Sequence, residues 1–365
     1  MARARKASPD GAAEVRRLAG GGRRKGAFAL GAGAGALLGA GLVLQHRMAS
    51  RATADDADFA ADGLVLPDGM LSRDVPTDDG GMLHVVARGS GPAVVLLHGV
   101  TLNSATWVHQ LRELSTELQV VALDQRGHGK SVPGSDGFRS PSGAPSGGPG
   151  APAMKRLAAD VVSVLDALEL DRVVLVGHSM GGMVALQLLS DASPELRRRI
   201  AGVLLVATSA GPLIGLPAFA QVLGASTSAA RGALLSLERR GKPLMAHPDV
   251  AYWSTRLAFG AEAPPAQVRY AEAMINAMSP HYMADLIGDV AGFDISPALG
   301  ALDVPATVVV GTHDRLTPPW HARRMVRGLP DAALLELARC GHMVMLERPG
   351  ELNRVIGEMA AKVLV

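Results

Sequence analysis

Cysteine is almost missing from this chain: Cys340 is the only one in 365 residues, so no intramolecular disulfide can form and packing alone must hold the fold. A large charge of one sign is missing too. The formal net charge is +2, and it is unevenly spread. Residues 1–25 carry Arg3, Arg5, Lys6, Arg16, Arg17, Arg23, Arg24 and Lys25 against Asp10 and Glu14, a local balance of +6 that leaves −4 for the other 340 residues. The basic character belongs to this tail, and no nucleic-acid surface is implied.

Charge then disappears altogether. Gly26–Leu44 is a 19-residue run of Gly, Ala, Leu, Val and Phe, close to the roughly 20 apolar residues that a helix needs to cross a bilayer. Gly31, Gly33, Gly35, Gly39 and Gly41 lower its hydrophobicity and helix propensity. The spacing of Gly31, Gly35 and Gly39 suits close packing of membrane helices, and simple Ala/Gly bias explains it equally well. With basic residues on the N-terminal side, a spanning segment leaves the tail in the cytoplasm and the rest outside. The rival is an export signal, because Arg23-Arg24 precedes the run and Ala52-Thr53-Ala54 offers an A-x-A cleavage site. A cytoplasmic protein with an incidental Ala/Gly tail is the third reading. Residues 45–70 read as a linker, polar and acidic from Ser50 onward.

From residue 71 the pattern changes to short β-branched runs. Leu71–Val75 and Met82–Ala87 read as a hairpin turned by Thr77-Asp78-Asp79-Gly80-Gly81. Further strands are expected at Ala93–Leu97, Gln119–Leu123, Arg172–Val176, Gly202–Val206, Ala306–Val310 and Ala333–Leu337. Helix-like segments lie around Trp107–Leu118, Met154–Leu168 and Met183–Leu189, with another from Pro349. Such alternation predicts an α/β fold, a mostly parallel twisted sheet with helices on both faces. Residues 133–152, rich in Gly, Pro and Ser, bury no core and are expected to form a flexible surface loop within the domain 71–365.

Three residues stand at the ends of expected strands in an order with chemical meaning. Gly177-His178-Ser179-Met180-Gly181 joins a strand to a helix, so Ser179 sits on a sharp elbow that the two glycines permit. Asp314 follows the strand Ala306–Val310, and His342 follows Ala333–Leu337. A serine hydroxyl needs a base to take its proton, and an imidazole needs a carboxylate to fix its tautomer. Ser179, His342 and Asp314 are the candidates for these roles.

The order Ser, Asp, His, each past a different strand, resembles the α/β-hydrolase superfamily over Leu71–Val365. Leu96-Leu97-His98-Gly99-Val100 resembles the family's H-G strand end, and Asp124-Gln125-Arg126-Gly127-His128-Gly129-Lys130-Ser131 resembles its D-x-R-G-x-G-x-S loop. The resemblance implies a serine hydrolase with an acyl-enzyme mechanism and no metal or organic cofactor. It also implies an oxyanion hole from the backbone N–H groups of Val100 and Met180, and a helical cap at 209–297. The cap's Phe219, Leu223, Leu235, Met245, Trp253, Phe259, Met274, Met278 and Met283 suit an apolar acyl pocket, though most should fill the cap's own core.

A small carboxylic ester with an apolar or medium-length acyl chain is the expected substrate. Perhydrolase or haloperoxidase-like chemistry and C–C bond hydrolysis share the triad, and a non-catalytic binding protein shares the fold. Epoxide hydrolases and haloalkane dehalogenases carry Asp at the elbow. An amidase or peptidase shares every motif, but no acidic cluster is present to receive a free amino terminus. His98 and His128 are expected to shape loops, His178 to pack or support the elbow, His313 to be a loop residue and Asp124 to anchor its loop. Cys340 is read as a half-buried residue whose alkylation blocks the site.

Overall fold

The computed structural model describes residues 63–139, 141, 152–213, 227–245 and 247–365. The N-terminal tail, the run at 26–44 and most of the linker lie outside the described residues. No helix among the described residues is long and apolar enough to cross a membrane.

Eight strands form one sheet: β1 Leu71–Pro76, β2 Met82–Arg88, β3 Ala93–Leu97, β4 Gln119–Leu123, β5 Val173–His178, β6 Ile200–Val206, β7 Ala306–Gly311 and β8 Ala332–Leu337. Their order is β1-β2-β4-β3-β5-β6-β7-β8, antiparallel for β1/β2 and β2/β4 and parallel elsewhere. β3 and β4 coincide with the runs read from the sequence. The helices are α1 Val108–Glu113, α2 Pro152–Ala167, α3 Met180–Asp191, α4 Pro194–Arg199, α5 Thr227–Arg239, α6 Pro248–Arg256, α7 Pro265–Ala277, α8 Pro280–Gly292, α9 Pro319–Gly328, α10 Val344–Glu347 and α11 Pro349–Leu364.

Successive side chains on a strand face opposite sides, and here both sides are buried. Val95, Leu97, Leu175 and Val203 join one core with Met154, Val161 and Leu165 of α2 and Met183 and Leu186 of α3. Val94, Leu96, Val174, Val176 and Leu204 join a second with Trp107, Leu111 of α1 and Ile356 and Met359 of α11. Burial on both faces explains why these strands read as unbroken apolar runs rather than alternating ones.

The cap region contains α5 to α8, paired as α5 with α8 and α6 with α7. Leu234, Met283 and Leu286 extend the first core, while Tyr252, Val268 and Met274 extend the second. The cap's two connections to the sheet lie side by side. Ile295 N–H donates to Ala210 O at 2.8 Å and Leu213 N–H to Ala291 O at 3.2 Å. Phe219 and Leu223 lie outside the described residues.

The loop 133–152 differs from expectation in its first part. Phe138 is buried against Tyr282 of α8, with ring centroids 6.0 Å apart. Gly137 O accepts from Arg126 at 3.2 Å, and Asp136 pairs with Arg156 of α2. Residue 140 and residues 142–151 lie outside the described residues.

Arg126 explains this order. Its guanidinium is fully buried and forks between two carboxylates. It donates to Asp160 of α2 at 2.7 and 2.8 Å and to Asp79, in the hairpin turn, at 2.6 and 2.9 Å. Burial pushes the Asp79 carboxyl up, but hydrogen bonds from Arg126 and Thr77 overcome this and hold it well below the usual carboxylate range. One cation thereby ties the hairpin, the Gly127 turn and α2 together. Removing one partner of a buried pair strands the others. Arg126→Ala should therefore destabilise the protein by about 3–5 kcal/mol in urea unfolding at pH 7. The share carried by Asp79 is complete above pH ~4, where the unfolded carboxyl is ionised, and fades as pH falls toward the folded-state value. The gap between variant and wild type should narrow on acidification.

Candidate active site

The site forms where the C-terminal ends of β3, β5, β6, β7 and β8 meet. Ser179 follows β5 and caps α3 with φ 51° and ψ −117°, a conformation that a side chain adopts only when its surroundings impose it. The surroundings here are two missing Cβ atoms. On Gly181 a Cβ would fall 2.1 Å from Leu97 O, and on Gly177 it would fall 2.5 Å from Gly181 O. β6 then grips the elbow from its far side. Ser179 N–H donates to Val206 O at 3.0 Å, and the Thr208 hydroxyl donates to Ser179 O at 2.6 Å.

Met180 is the first residue of α3, so its N–H is among those that a helix leaves free at its positive end. Gly99 brings the end of β3 alongside. A Cβ there would fall 2.8 Å from His178 Nδ1 and 3.1 Å from Ser179 Cβ. Val100, the other expected oxyanion donor, follows Gly99 directly in the chain.

Asp314 and His342 are brought together by the ends of β7 and β8. His313 N–H donates to Cys340 O at 2.8 Å, and a Cβ on Gly311 would fall 2.2 Å from Cys340 O. His342 Nδ1 lies 2.9 Å from Asp314 Oδ2, both side chains buried. With Nδ1–H donating to the carboxylate, Nε2 carries the free lone pair. Asp314 also anchors its own loop, since Oδ1 accepts from Leu316 N–H at 2.8 Å and Thr317 N–H at 2.9 Å. The carboxylate thus caps its own loop and holds the imidazole at once. The Thr317 hydroxyl completes the shell at 2.8 Å from Oδ2; a Thr three residues after an Asp in a turn is the local signal that marks it.

Three other histidines support the frame. His178 Nε2–H donates to His342 O at 3.0 Å, and the rings stand 4.7 Å apart. Burial, reinforced by His342, pushes its pKa far down and keeps it neutral. His98 Nδ1–H donates to Gly99 O at 2.8 Å and its Nε2 accepts from Gln125 N–H at 2.9 Å, and burial lowers its pKa too. His128 donates to Arg126 O at 2.9 Å and is pushed down to about 3 by burial and by His98. Asp124 accepts from Ser104 N–H at 2.7 Å and Lys130 N–H at 2.9 Å, as expected of a loop anchor. Among the described residues, no three His, Cys, Asp or Glu side chains converge on a point that would hold a metal.

The model of the alpha/beta hydrolase family matches residues 94–355. The chain belongs to this family. Among its relatives is the protein named as carbamate hydrolase RutD from Variovorax paradoxus (strain S110), 31% identical over 284 residues, 77% of this chain and 97% of that one. A thermophilic esterase from Thermogutta terrifontis superposes with a TM-score of 0.63 at 25% identity, covering 80% of this chain and 98% of the other. Est816, described as an N-acyl homoserine lactone degrading enzyme, gives 0.59 at 27% identity over 78% and 99%. As a member of the alpha/beta hydrolase family, the chain is a hydrolase.

The thiol reading needs correction. Cys340 is completely buried rather than half-buried, and burial pushes its pKa well up. A thiol that neither ionises nor meets solvent does not react. Cys340 in the native hydrolase should resist DTNB at pH 8 over hours and react fully once the chain is unfolded in guanidinium.

Proposed function

We propose that the protein is a serine hydrolase that cleaves small carboxylic esters through an acyl-enzyme. The observation that carries this reading is the positive-φ serine at the head of α3, whose preceding residue His178 packs on a histidine with its Nδ1 2.9 Å from a buried carboxylate. Ser179 Oγ attacks the ester carbonyl while His342 Nε2 takes its proton. Asp314 keeps the imidazole in the required tautomer and stabilises the imidazolium. The carbonyl oxygen, now negative, lies between the N–H groups of Val100 and Met180, each such donor being worth about 3 kcal/mol in the transition state. His342 returns the proton to the leaving alcohol, and water attacks the acyl-enzyme by the same route in reverse.

The esterase and the lactone-degrading neighbour support an ester or lactone carbonyl. The 31%-identical relative named for carbamate hydrolysis favours a carbamate as the second reading, since the same attack and the same leaving step apply. Met274, Met278 and Met283 fill the cores, so the proposed apolar or medium-length acyl group rests on the cap's other apolar side chains, such as Leu235, Met245 and Trp253. Residues 26–44 are proposed to anchor the chain in a membrane or direct its export, with the catalytic domain outside the cytoplasm. Full-length protein should then stay with membranes through a carbonate wash, or emerge without its first residues; a soluble intact chain inside the cell would exclude both.

Hydrolysis of a p-nitrophenyl ester series from acetate to palmitate, with an aryl carbamate alongside, tests the chemistry. Turnover should peak at one acyl length, fall by about 10⁶-fold in Ser179→Ala and by about 10⁴-fold in Asp314→Asn. Equal activity in Ser179→Ala would remove the nucleophile assignment, and turnover of the carbamate alone would favour the second reading.

A further inference from the structure

The histidine loop and the cap meet through bare backbone. Between α6 and α7 the chain turns at Ala258-Phe259-Gly260 and lies against Arg339-Cys340-Gly341-His342. A Cβ on Gly341 would fall 2.4 Å from Gly260 N, and one on Gly260 would fall 2.2 Å from Arg339 O. His342 N–H donates to Ala258 O at 2.6 Å. Its carbonyl accepts from His178 at 3.0 Å. The backbone of this histidine is therefore strung between the cap and the residue that precedes Ser179.

One side chain bonds to the backbone of both segments. Glu347, at the end of α10, accepts from Gly260 N–H through Oε2 at 2.8 Å and from Gly341 N–H at 3.0 and 3.1 Å. One donor belongs to the cap, the other to the loop that carries the base. Burial pushes the Glu347 carboxyl up against the pull of the Gly341, Gly260 and Met343 amides and the charge of Arg348, so the group is placed in a costly environment that these partners offset. Outside it, Glu262 pairs with Arg339 at 2.7 Å and with Arg348 at 3.6 Å; these contacts are exposed and contribute little.

We propose that Glu347 is a positioning residue of the hydrolase: by clamping the cap turn 258–260 to the loop 340–342, it fixes where the His342 imidazole stands relative to Ser179. Substrate that shifts the cap shifts the base with it. This rests on the serine hydrolase reading, in which His342 is the base.

Glu347→Gln keeps the shape but sets an NH₂ group against the Gly341 N–H. The full-length protein is tested in two assays. The first is the rate at which a small dialkyl fluorophosphonate modifies Ser179. There the Oγ–P bond forms, the P–F bond breaks, fluoride leaves and the serine proton passes to His342; the base is needed and the acyl pocket is not. The second is steady-state turnover of acetate and octanoate p-nitrophenyl esters. Displacement of a catalytic group by about 1 Å costs up to about a hundredfold. In Glu347→Gln, phosphonylation and kcat on both esters should fall together by about ten- to hundredfold, with KM changed by less than about twofold. Glu262→Gln should match wild type in every assay.

Phosphonylation of Glu347→Gln at the wild-type rate, or a loss confined to octanoate, would overturn the clamp and leave Glu347 a support of the cap alone. Should Glu347→Gln not fold, Glu347→Asp keeps the charge, reaches only one of the two N–H groups and is judged by the same criteria. If wild type is phosphonylated but hydrolyses no ester, the ester reading fails while phosphonylation still decides the clamp. If wild-type Ser179 is not phosphonylated at all, both fall together.

Discussion

The site depends on how closely α3 can approach β3. A helix that follows a strand at so sharp an angle must lay its first turn against the neighbouring strand end, and here Gly181 passes where any Cβ would overlap Leu97 O. That contact sets the serine above the sheet in a conformation it would not adopt alone. It also brings the end of β3 close enough for Gly99 to lie against His178 and Ser179. β6 locks the result from the other side through Val206 and Thr208. The strain at Ser179 is thus spread over three strands, each held by the sheet's hydrogen bonds and by two cores.

Around that fixed point the loops are tied by polar groups rather than by packing. Arg126 joins the hairpin turn, the turn after β4 and α2; Asp314 braces its own loop while it orients a histidine; Asp124 holds the loop that follows it. Each buried group has several partners, which is how charge is accommodated in a low-dielectric interior. The arrangement is economical in side chains. A carboxylate that caps a loop is already rigid, and rigidity is what an imidazole partner requires.

Much of this was legible in the sequence, and the reasons are local. Doubly buried strands announce themselves as apolar runs, so β3 and β4 appear at the expected residues and the other strands differ only at their ends. Ser179, Asp314 and His342 follow such runs and carry distinctive neighbours. What stayed hidden depends on partners far along the chain. Nothing near Asp79 signals an arginine at 126. Phe138 stands in a Gly- and Pro-rich stretch whose composition says loop, yet one aromatic and one aspartate are enough to hold its first part. Cys340 looked half-buried because it stands two residues before the candidate base His342, whereas the close packing of the β7 and β8 loops seals it off.

The paired connections of the cap have a consequence for how this chain can change. Ala210 and Ile295 are hydrogen-bonded neighbours, so the cap leaves and re-enters the sheet at a single doorway. The ends of an insertion anchored this way stay together whatever its length, and lengthening a flexible closed segment costs only about 0.6 kcal/mol per doubling. Helices between those residues, other than α6 and α7 whose turn meets the histidine loop, can therefore be added, lost or exchanged with little disturbance to the strand ends below. A new substrate range can be acquired at the doorway while the elbow, the end of β3 and the aspartate loop go on unchanged.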